Sequence, residues 1–371
     1  MMMKILSTKD NLLEGIQIVQ ASTSSRATLP ILHNFLMEAE NGKIKLVRTD
    51  LEMATTHYIN ADVAEPGAIT VPAKDFSEIL HNLPSDKDIE VRLDSSNKVH
   101  IHCGKSKFWV MGVPKEEYPV IPDIGSTDLF EAPAEVIQRM VQKTIFAAST
   151  QETRYVLNGV LWIGGKNGLE MVATDGRRLA IASNAEIKTP KDIKVIVPTK
   201  ILQEFLRFLG INKPEKDEKV TIGVASNQIG FKMRTTTFIS RIIEGNFPNY
   251  EQVIPSKKDV SFEADTKELL AVTKRAALCV SDRGGAVKYQ LKAGSLMVSA
   301  ASQKMEFEDE IPVSYKGSDF TTSFNPQYII DVLKNIDTAS ASFGMTTAIN
   351  PAIVEPTGQP GCKYIVMPVR A

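Results

Sequence analysis

The sequence contains little cysteine and no long apolar run. Its three cysteines, Cys103, Cys279 and Cys362, are too few and too widely spaced for a disulfide framework, which indicates a reducing compartment. The amino-terminal segment lacks the apolar core of about 7 to 15 residues that a signal peptide needs, and no stretch reaches the roughly 18 apolar residues of a membrane span. We therefore expect a soluble, cytoplasmic protein.

The chain also lacks an excess of charge of either sign. The net charge of its 371 residues is −1 at pH 7. This sum does not exclude nucleic acid, since binding depends on where the basic residues are placed. Hydrophobic residues make up 43% and charged residues 23% of the chain, which is typical of ordinary globular domains. Low-complexity or disordered segments are not expected.

Recognisable catalytic patterns are absent as well. His100 and His102 share one face of a predicted strand beside Cys103, but a metal site needs further ligands that the sequence does not place nearby. The glycines of segment 164–168 lack the spacing of a phosphate-binding loop and fit a hairpin turn. Segment 174–178, Thr-Asp-Gly-Arg-Arg, is interpreted as a turn with exposed basic side chains. The sequence predicts no enzyme, metal or cofactor site.

A repeated segment organises the chain. VPAKDFSEIL at 71–80, VPTKILQEFL at 197–206 and FNPQYIIDVL at 324–333 follow one another at offsets of 126 and 127 residues. Each copy predicts a helix that starts near a proline, and a second helical pattern lies 63 to 69 residues upstream, around Leu12, Val136 and Leu269. A unit of about 120 residues is long enough to bury its own core, unlike a solenoid repeat.

Alternating apolar and polar runs between the helices predict strands. Turns are expected at Asn41-Gly42, Asn167-Gly168 and Ala293-Gly294, because such dipeptides favour tight hairpins. The fold class is therefore α+β, with three repeated domains of two helices and antiparallel sheets. Proline clusters near 119–122 and 248–255 place the domains at 1–125, 126–255 and 256–371.

Two of the helices show basic and polar residues opposite an apolar stripe. The outward positions are Lys200, Gln203 and Arg207 on one helix, and Gln138, Arg139, Gln142 and Lys143 on another. For a single helix the simplest explanation is an ordinary solvated face. In the third repeat, Lys267 and Lys274 are seven residues apart and so share a helix face. The threefold repetition favours a common target, because symmetry-related helices would point to the same place.

Several motifs resemble those of the bacterial DNA polymerase III β subunit family, the sliding clamps. They are Leu29-Pro-Ile-Leu, Thr49-Asp-Leu-Glu-Met, Arg154-Tyr-Val-Leu-Asn-Gly, Ala173-Thr-Asp-Gly-Arg-Arg-Leu-Ala, Phe247-Pro-Asn-Tyr and Val366-Met-Pro-Val-Arg, in the same order along the whole chain. The resemblance implies a head-to-tail homodimeric ring around duplex DNA, without catalytic activity. It also implies a groove for short linear peptides of the polymerase III catalytic subunit, the clamp loader, other polymerases and repair proteins.

The resemblance also implies three sets of site residues. DNA contacts are expected from Arg26, Lys74, Gln151, Tyr155 and Lys200. The peptide groove is expected from Leu157, Thr174, Gly176, Arg177, Leu179, Pro248, Val253, Asn325, Tyr328, Ile349, Pro351, Ile365, Met367, Pro368, Val369 and Arg370, with Asn325 pairing a glutamine side chain of the ligand. The dimer contact is expected from Phe108, Val110, Leu278 and Cys279.

Two rival functions are compatible with the residues alone. A duplicated metabolic enzyme would require a catalytic constellation, which the sequence does not display. A scaffold that binds proteins but not DNA would share the fold and the groove and would not need the repeated basic faces.

Overall fold

A computed structural model describes residues 2–20, 29–121, 129–280 and 285–369 of the chain. Arg26 and Arg370, which were predicted as site residues, lie outside these ranges. Six α-helices occur among the described residues: α1 Lys9–Gln20, α2 Ala73–Asn82, α3 Ala134–Ile145, α4 Thr199–Ile211, α5 Thr266–Ala277 and α6 Pro326–Lys334. All six coincide with the helices predicted from the repeat.

The described strands include the pairs that flank the three predicted hairpins, where alternating runs predicted them. They are β1 Met3–Ser7, β2 Asn34–Glu40, β3 Lys43–Thr49, β4 Met53–Asn60, β5 Asp62–Glu65, β6 Gly67–Pro72, β7 Ile89–Leu93, β8 Lys98–Cys103, β9 Ser106–Met111, β10 Leu129–Pro133, β11 Gly159–Gly165, β12 Gly168–Thr174, β13 Arg178–Asn184, β14 Ile193–Pro198, β15 Lys219–Val224, β16 Gln228–Met233, β17 Thr236–Arg241, β18 Val260–Asp265, β19 Val287–Lys292, β20 Ser295–Ala301, β21 Glu306–Pro312, β22 Phe320–Phe324, β23 Ser340–Met345, β24 Ala352–Pro356 and β25 Cys362–Val366.

The hairpin turns were predicted correctly at two of three places. Asn41-Gly42 joins β2 to β3, with φ of 51° and 75°, and Ala293-Gly294 joins β19 to β20. The prediction for the second hairpin was one residue too late. Gly165 pairs with Gly168, so the two-residue loop is Lys166-Asn167 and Gly168 already belongs to β12.

The chain divides into two compact units, residues 1–135 with 200–242 and residues 136–199 with 243–371. The first unit contains an eight-stranded antiparallel sheet, β10-β15-β16-β17-β4-β3-β2-β6, and a five-stranded sheet, β5-β1-β7-β8-β9. Its core includes Phe35 and Phe76, whose rings pack edge to face, together with Leu12 and Ile16 of α1.

The second unit repeats this plan with an eight-stranded sheet, β14-β11-β12-β13-β25-β24-β23-β18, and a four-stranded sheet, β21-β20-β19-β22. Pairing of β13 with β25 joins the second sequence repeat to the third, as pairing of β17 with β4 joins the second to the first inside the other unit. Each eight-stranded sheet is therefore continuous across two repeats. The domain boundaries at 125 and 255 stay predictions from the sequence.

Candidate functional site

An apolar cavity of about 120 Å³ opens in the second unit, where β12, β13 and β25 meet the 3₁₀ helix Tyr250–Val253. Its lining includes the predicted groove residues Leu157, Thr174, Gly176, Arg177, Leu179, Pro248, Val253, Ile365 and Met367. The lining also includes three residues that were not predicted as groove residues: Arg178, Asn249 and Tyr250. A mostly apolar cavity with a few polar groups at its rim is the usual form of a binding pocket for an apolar side chain.

The turn between β12 and β13 forms one wall of the cavity, and its own side chains fix its shape. The carboxylate Oδ1 of Asp175 accepts the backbone N–H groups of Arg177 and Arg178 at 2.9 and 3.0 Å. The hydroxyl of Thr174 donates to the Arg178 carbonyl and accepts the N–H of Gly176. Gly176 has φ of +85°, a backbone conformation that residues with a Cβ atom rarely adopt.

Segment 174–178 was predicted to be a turn with exposed basic side chains. This prediction is wrong for Arg178. Its side chain is only 13% exposed, while Arg177 is exposed as predicted. Its guanidinium group donates to Asp175 at 3.1 Å, to Asp331 at 2.5 Å and to the carbonyl of Phe146 at 2.8 Å. The same group lies 4.9 Å from the ring centre of Tyr328. Arg178 therefore belongs to the interior of the site.

The carboxy-terminal segment connects the cavity to the start of α6. The N–H of Met367 donates to the carbonyl of Arg177 at 2.9 Å, and the N–H of Val369 donates to the carbonyl of Ser323 at 2.8 Å. Ser323 lies two residues before Asn325, the N-cap of α6. The structure therefore places Val369 beside the helix that carries Asn325 and Tyr328. Pro368 links the two anchored residues.

Asn325, which was predicted to pair with a glutamine side chain of the ligand, also has a structural role. Its Oδ1 accepts the N–H of Gln327 at 2.9 Å, which caps α6. Because the cap uses the oxygen, the group that Asn325 offers to a ligand is its amide nitrogen. That nitrogen suits the carbonyl oxygen of a glutamine side chain. Of the other predicted groove residues, Ile349 is 70% exposed, and Pro351 directly precedes β24.

The residues predicted to contact DNA differ in how exposed their side chains are and in whether the charged ones are already paired. Lys74 on α2 is highly exposed and lies 4.0 Å from Glu78. Lys200 on α4 instead forms an ion pair with Asp50, whose side chain is only 7% exposed. Gln151 is exposed, and Tyr155 is 60% exposed. Among the described residues of this set, Lys74 presents the more available cation.

The predicted outward face of α3 is wrong at one position. Lys143 is 8% exposed, and its ammonium group donates to the carbonyl of Asn335 at 2.5 Å and to Asp337 at 2.7 Å. A buried lysine needs such partners, because desolvation of an unpaired charge is costly. Arg139 and Gln142 are exposed as predicted.

Strand β9 is an edge strand of the five-stranded sheet and carries exposed apolar side chains. Phe108, Trp109 and Met111 are 42%, 56% and 50% exposed, and only Phe108 had been predicted. Val110 is buried within the chain itself at 9% exposure. An exposed apolar edge strand is a template for pairing with another strand.

The other predicted contact lies after α5 in the second unit. Leu278 is 73% exposed, whereas Cys279 is buried at 6% exposure. Near this helix, β21 forms an edge of the four-stranded sheet and carries a run of acidic residues, EFEDE at 306–310. Asp309 of this strand is bound to Arg275 of α5. Strand β9, in contrast, carries Lys107.

None of the described helices is both long and apolar enough to cross a membrane. Comparison with known proteins relates the entire chain to one family. Profiles of the DNA polymerase III β subunit match its N-terminal domain at residues 3–122, its central domain at 131–249 and its C-terminal domain at 251–370.

Individual proteins give the same relation. The chain is 30% identical over 370 residues to the β sliding clamp of Haemophilus influenzae, covering 99% of this chain and 100% of that protein. The crystal structure of a sliding clamp from Pseudomonas aeruginosa bound to griselimycin matches with a TM-score of 0.93 at 32% identity, covering both chains completely. The clamp of Bacillus subtilis matches over the same extent with a TM-score of 0.95 at 28% identity. The chain therefore belongs to the family of bacterial DNA polymerase III β subunits, the β sliding clamps.

Proposed function

We propose that two copies of this chain close head to tail into a ring that encircles duplex DNA and holds DNA polymerase III and other partners on it. As a β sliding clamp, the protein is a non-catalytic processivity factor. A ring retains DNA by topology, so its inner surface needs only diffuse positive charge against phosphates, and sequence-specific contacts would oppose sliding. Lys74, Lys200, Gln151, Tyr155 and Arg26 are the proposed contacts.

The observation that carries the partner-binding part of the proposal is the apolar cavity beside the Thr174–Arg178 turn. Its lining accepts the apolar anchor of a short peptide, and the carboxy-terminal segment leads from it to Asn325, whose amide can bind a glutamine side chain. The proposed ligands are short motifs with glutamine near the start and Leu-Phe at the end. They would belong to the polymerase catalytic subunit, the clamp loader, other polymerases and repair proteins.

The proposed dimer contact pairs β9 of one copy with the α5 and β21 region of the other. A heterologous contact of this kind forms a ring when its rotation closes. The apolar side chains Phe108 and Trp109 suit Leu278, and the basic Lys107 suits the acidic strand β21. Val110 and Cys279 support this contact from beneath, since both are buried in the single chain. The three proposed domains are 1–125, 126–255 and 256–371, and the proposed compartment is the cytoplasm.

A test on circular DNA distinguishes a clamp from a scaffold that binds only proteins. The intact protein, loaded with a clamp loader on nicked circular duplex, should stay bound during gel filtration at high salt. Cutting the circle with a restriction enzyme should release it, because a ring slides off a free end. Failure to remain on the circle, with retained peptide binding, would support the scaffold.

A further inference from the structure

A second cavity adjoins the proposed peptide groove. It has a volume of about 180 Å³ and is lined by Glu170, Ile181, Ser183, Tyr250, Glu251, Ile254, Gly361 and Lys363. We call it the annex. Tyr250 lines both the annex and the apolar cavity, so the two cavities are neighbours at this residue. A peptide that leaves the apolar cavity past Tyr250 would enter the annex.

Glu170 is held in the annex in a fixed orientation. The hydroxyl of Tyr250 donates to its Oε1 at 2.7 Å, and the hydroxyl of Ser183 donates to its Oε2 at 2.9 Å. Both donors are neutral, so they orient the carboxylate without cancelling its charge. Burial, together with the bond to Glu170, raises the pKa of Tyr250 above its usual value, which keeps the phenol protonated as a donor.

The charge at the surface changes sign across Tyr250. At the rim of the apolar cavity the exposed charge is that of Arg177, because Arg178 is paired with Asp175 and Asp331, whereas the annex carries the carboxylates of Glu170 and Glu251. Lys363 is the cation of the annex lining and offsets part of this charge. Two carboxylates against one ammonium group leave the annex acidic.

We infer that the annex binds a lysine or arginine side chain located one to three residues after the apolar anchor of a partner peptide. This inference rests on the proposed peptide groove and adds a specificity element to it. One to three residues of extended chain span roughly 3 to 10 Å, enough to pass a single side chain. The cation would lie between Glu170 and Glu251, and its aliphatic stem would contact Ile181 and Ile254.

The test compares peptides that differ at one position. The intact protein is titrated by calorimetry with Gln-Leu-Ser-Leu-Phe and with versions extended by Gly-Lys, Gly-Gln or Gly-Glu. We expect the Gly-Lys peptide to bind three- to tenfold more tightly than the Gly-Gln peptide, with Gly-Glu the weakest. This preference should shrink as the salt concentration rises, because the annex is open to solvent.

Variants of the annex test whether its carboxylates cause the preference for the lysine-containing peptide. In the double variant Glu170→Gln, Glu251→Gln the affinity ratio of the Gly-Lys and Gly-Gln peptides should fall to about one. The ratio is informative even if the variant changes the affinity for all peptides, since that effect cancels. Glu186→Gln, an exposed acid outside the annex lining, is the matched control and should keep the wild-type ratio.

The outcomes separate this inference from the proposed function. Equal affinities of the Gly-Lys and Gly-Gln peptides, with normal binding of the pentapeptide, would overturn the annex and leave the groove intact. Tightest binding of the Gly-Glu peptide would overturn it too and would identify Lys363 as the recognising group. If the pentapeptide itself does not bind, the groove is wrong and the annex is refuted with it.

Discussion

Arg178 on β13 and Asp331 on α6 form an ion pair between residues 153 positions apart in the sequence, with Nη1 and Oδ2 separated by 2.5 Å. Gln327 donates to the other carboxylate oxygen of Asp331 at 2.6 Å. The pair therefore joins the turn that walls the apolar cavity to the helix that carries Asn325 and Tyr328. This contact links the two proposed halves of the groove, together with the backbone hydrogen bonds of Met367 and Val369.

The first prediction is that Arg178→Lys weakens peptide binding about tenfold. A lysine cannot replace the three directed bonds of the guanidinium group, because its ammonium group lacks the planar fork of arginine. Calorimetry with the pentapeptide measures the effect. Arg139→Lys, at an exposed position of α3 outside the cavity lining, is the control and should leave the affinity unchanged. Unchanged affinity in the Arg178 variant would show that the network does not position the groove.

Local patterns predicted most of the fold. All six helices follow from the apolar spacing and the repeat, since these signals lie within a few residues. The Thr-Asp turn is a further repeated element: Asp50 accepts the N–H groups of Glu52 and Met53, as Asp175 does those of Arg177 and Arg178. Leu51 adopts φ of +78° where the second copy has Gly176.

Long-range partners could not be predicted in the same way. Lys143 and Arg178 look exposed in the sequence because each lies in a polar local context. Their partners, Asp337 and Asp331, are more than 150 residues away, and only the folded chain brings them together. The groove residues were identified from the family resemblance, because Leu157 or Ile365 alone would be taken for core.

The second prediction separates two lysines of the proposed DNA-binding set. Lys200→Ala should lower the free energy of unfolding by about 1 to 3 kcal/mol, because it leaves the buried carboxylate of Asp50 without its cation. Lys74→Ala should change stability by less than about 0.5 kcal/mol, since its side chain is highly exposed. Urea denaturation of both variants measures these values.

For DNA affinity we expect the opposite order, with a larger loss in the Lys74 variant than in the Lys200 variant. Lys74→Ala should make the slope of log K against the logarithm of the salt concentration shallower by about one, the change expected for one lost phosphate contact. Lys200→Ala should change this slope less. Gel shifts with linear duplex at several salt concentrations measure this. A stable Lys200→Ala protein with a large loss of DNA binding would contradict the order and show that Lys200 faces the DNA despite Asp50.

The third prediction concerns the dimer contact. Phe108→Ala with Leu278→Ala should give folded monomers in light scattering, because both side chains are exposed in the single chain. Val110 and Cys279 are less suitable positions, since changing a buried residue also disturbs the protomer. Val120→Ala, an exposed apolar residue outside β9, is the control and should remain dimeric.

A charge exchange tests the orientation of the same contact. Lys107→Glu and Glu308→Lys should each weaken the dimer, and the combined variant should recover part of the loss if the two strands face each other. Recovery requires that β9 of one copy lies near β21 of another. A double variant weaker than both single variants would argue for a different pairing.

The last prediction is a pH dependence that comes from His57. This residue pairs with Thr236 where β4 meets β17, is 6% exposed, and its Nδ1 lies 2.8 Å from the Thr236 hydroxyl. Burial lowers the pKa of His57 from 6.5 to about 4. Between these values the unfolded chain binds a proton that the folded chain does not, so stability falls as the pH falls from 6.5 to 4.

The size of this effect is at most roughly 3 kcal/mol, since each unit of pKa difference corresponds to about 1.4 kcal/mol. Carboxylates also titrate near the lower end of this window, so the readout is the difference between variants. Urea denaturation at pH 7, 6, 5 and 4 should show a shallower loss of stability for His57→Asn than for the wild type. His33→Asn, at an exposed position, should follow the wild-type curve. Parallel curves for His57→Asn and the wild type would mean that His57 titrates alike in the folded and unfolded chain, and that the junction of β4 and β17 is open to water.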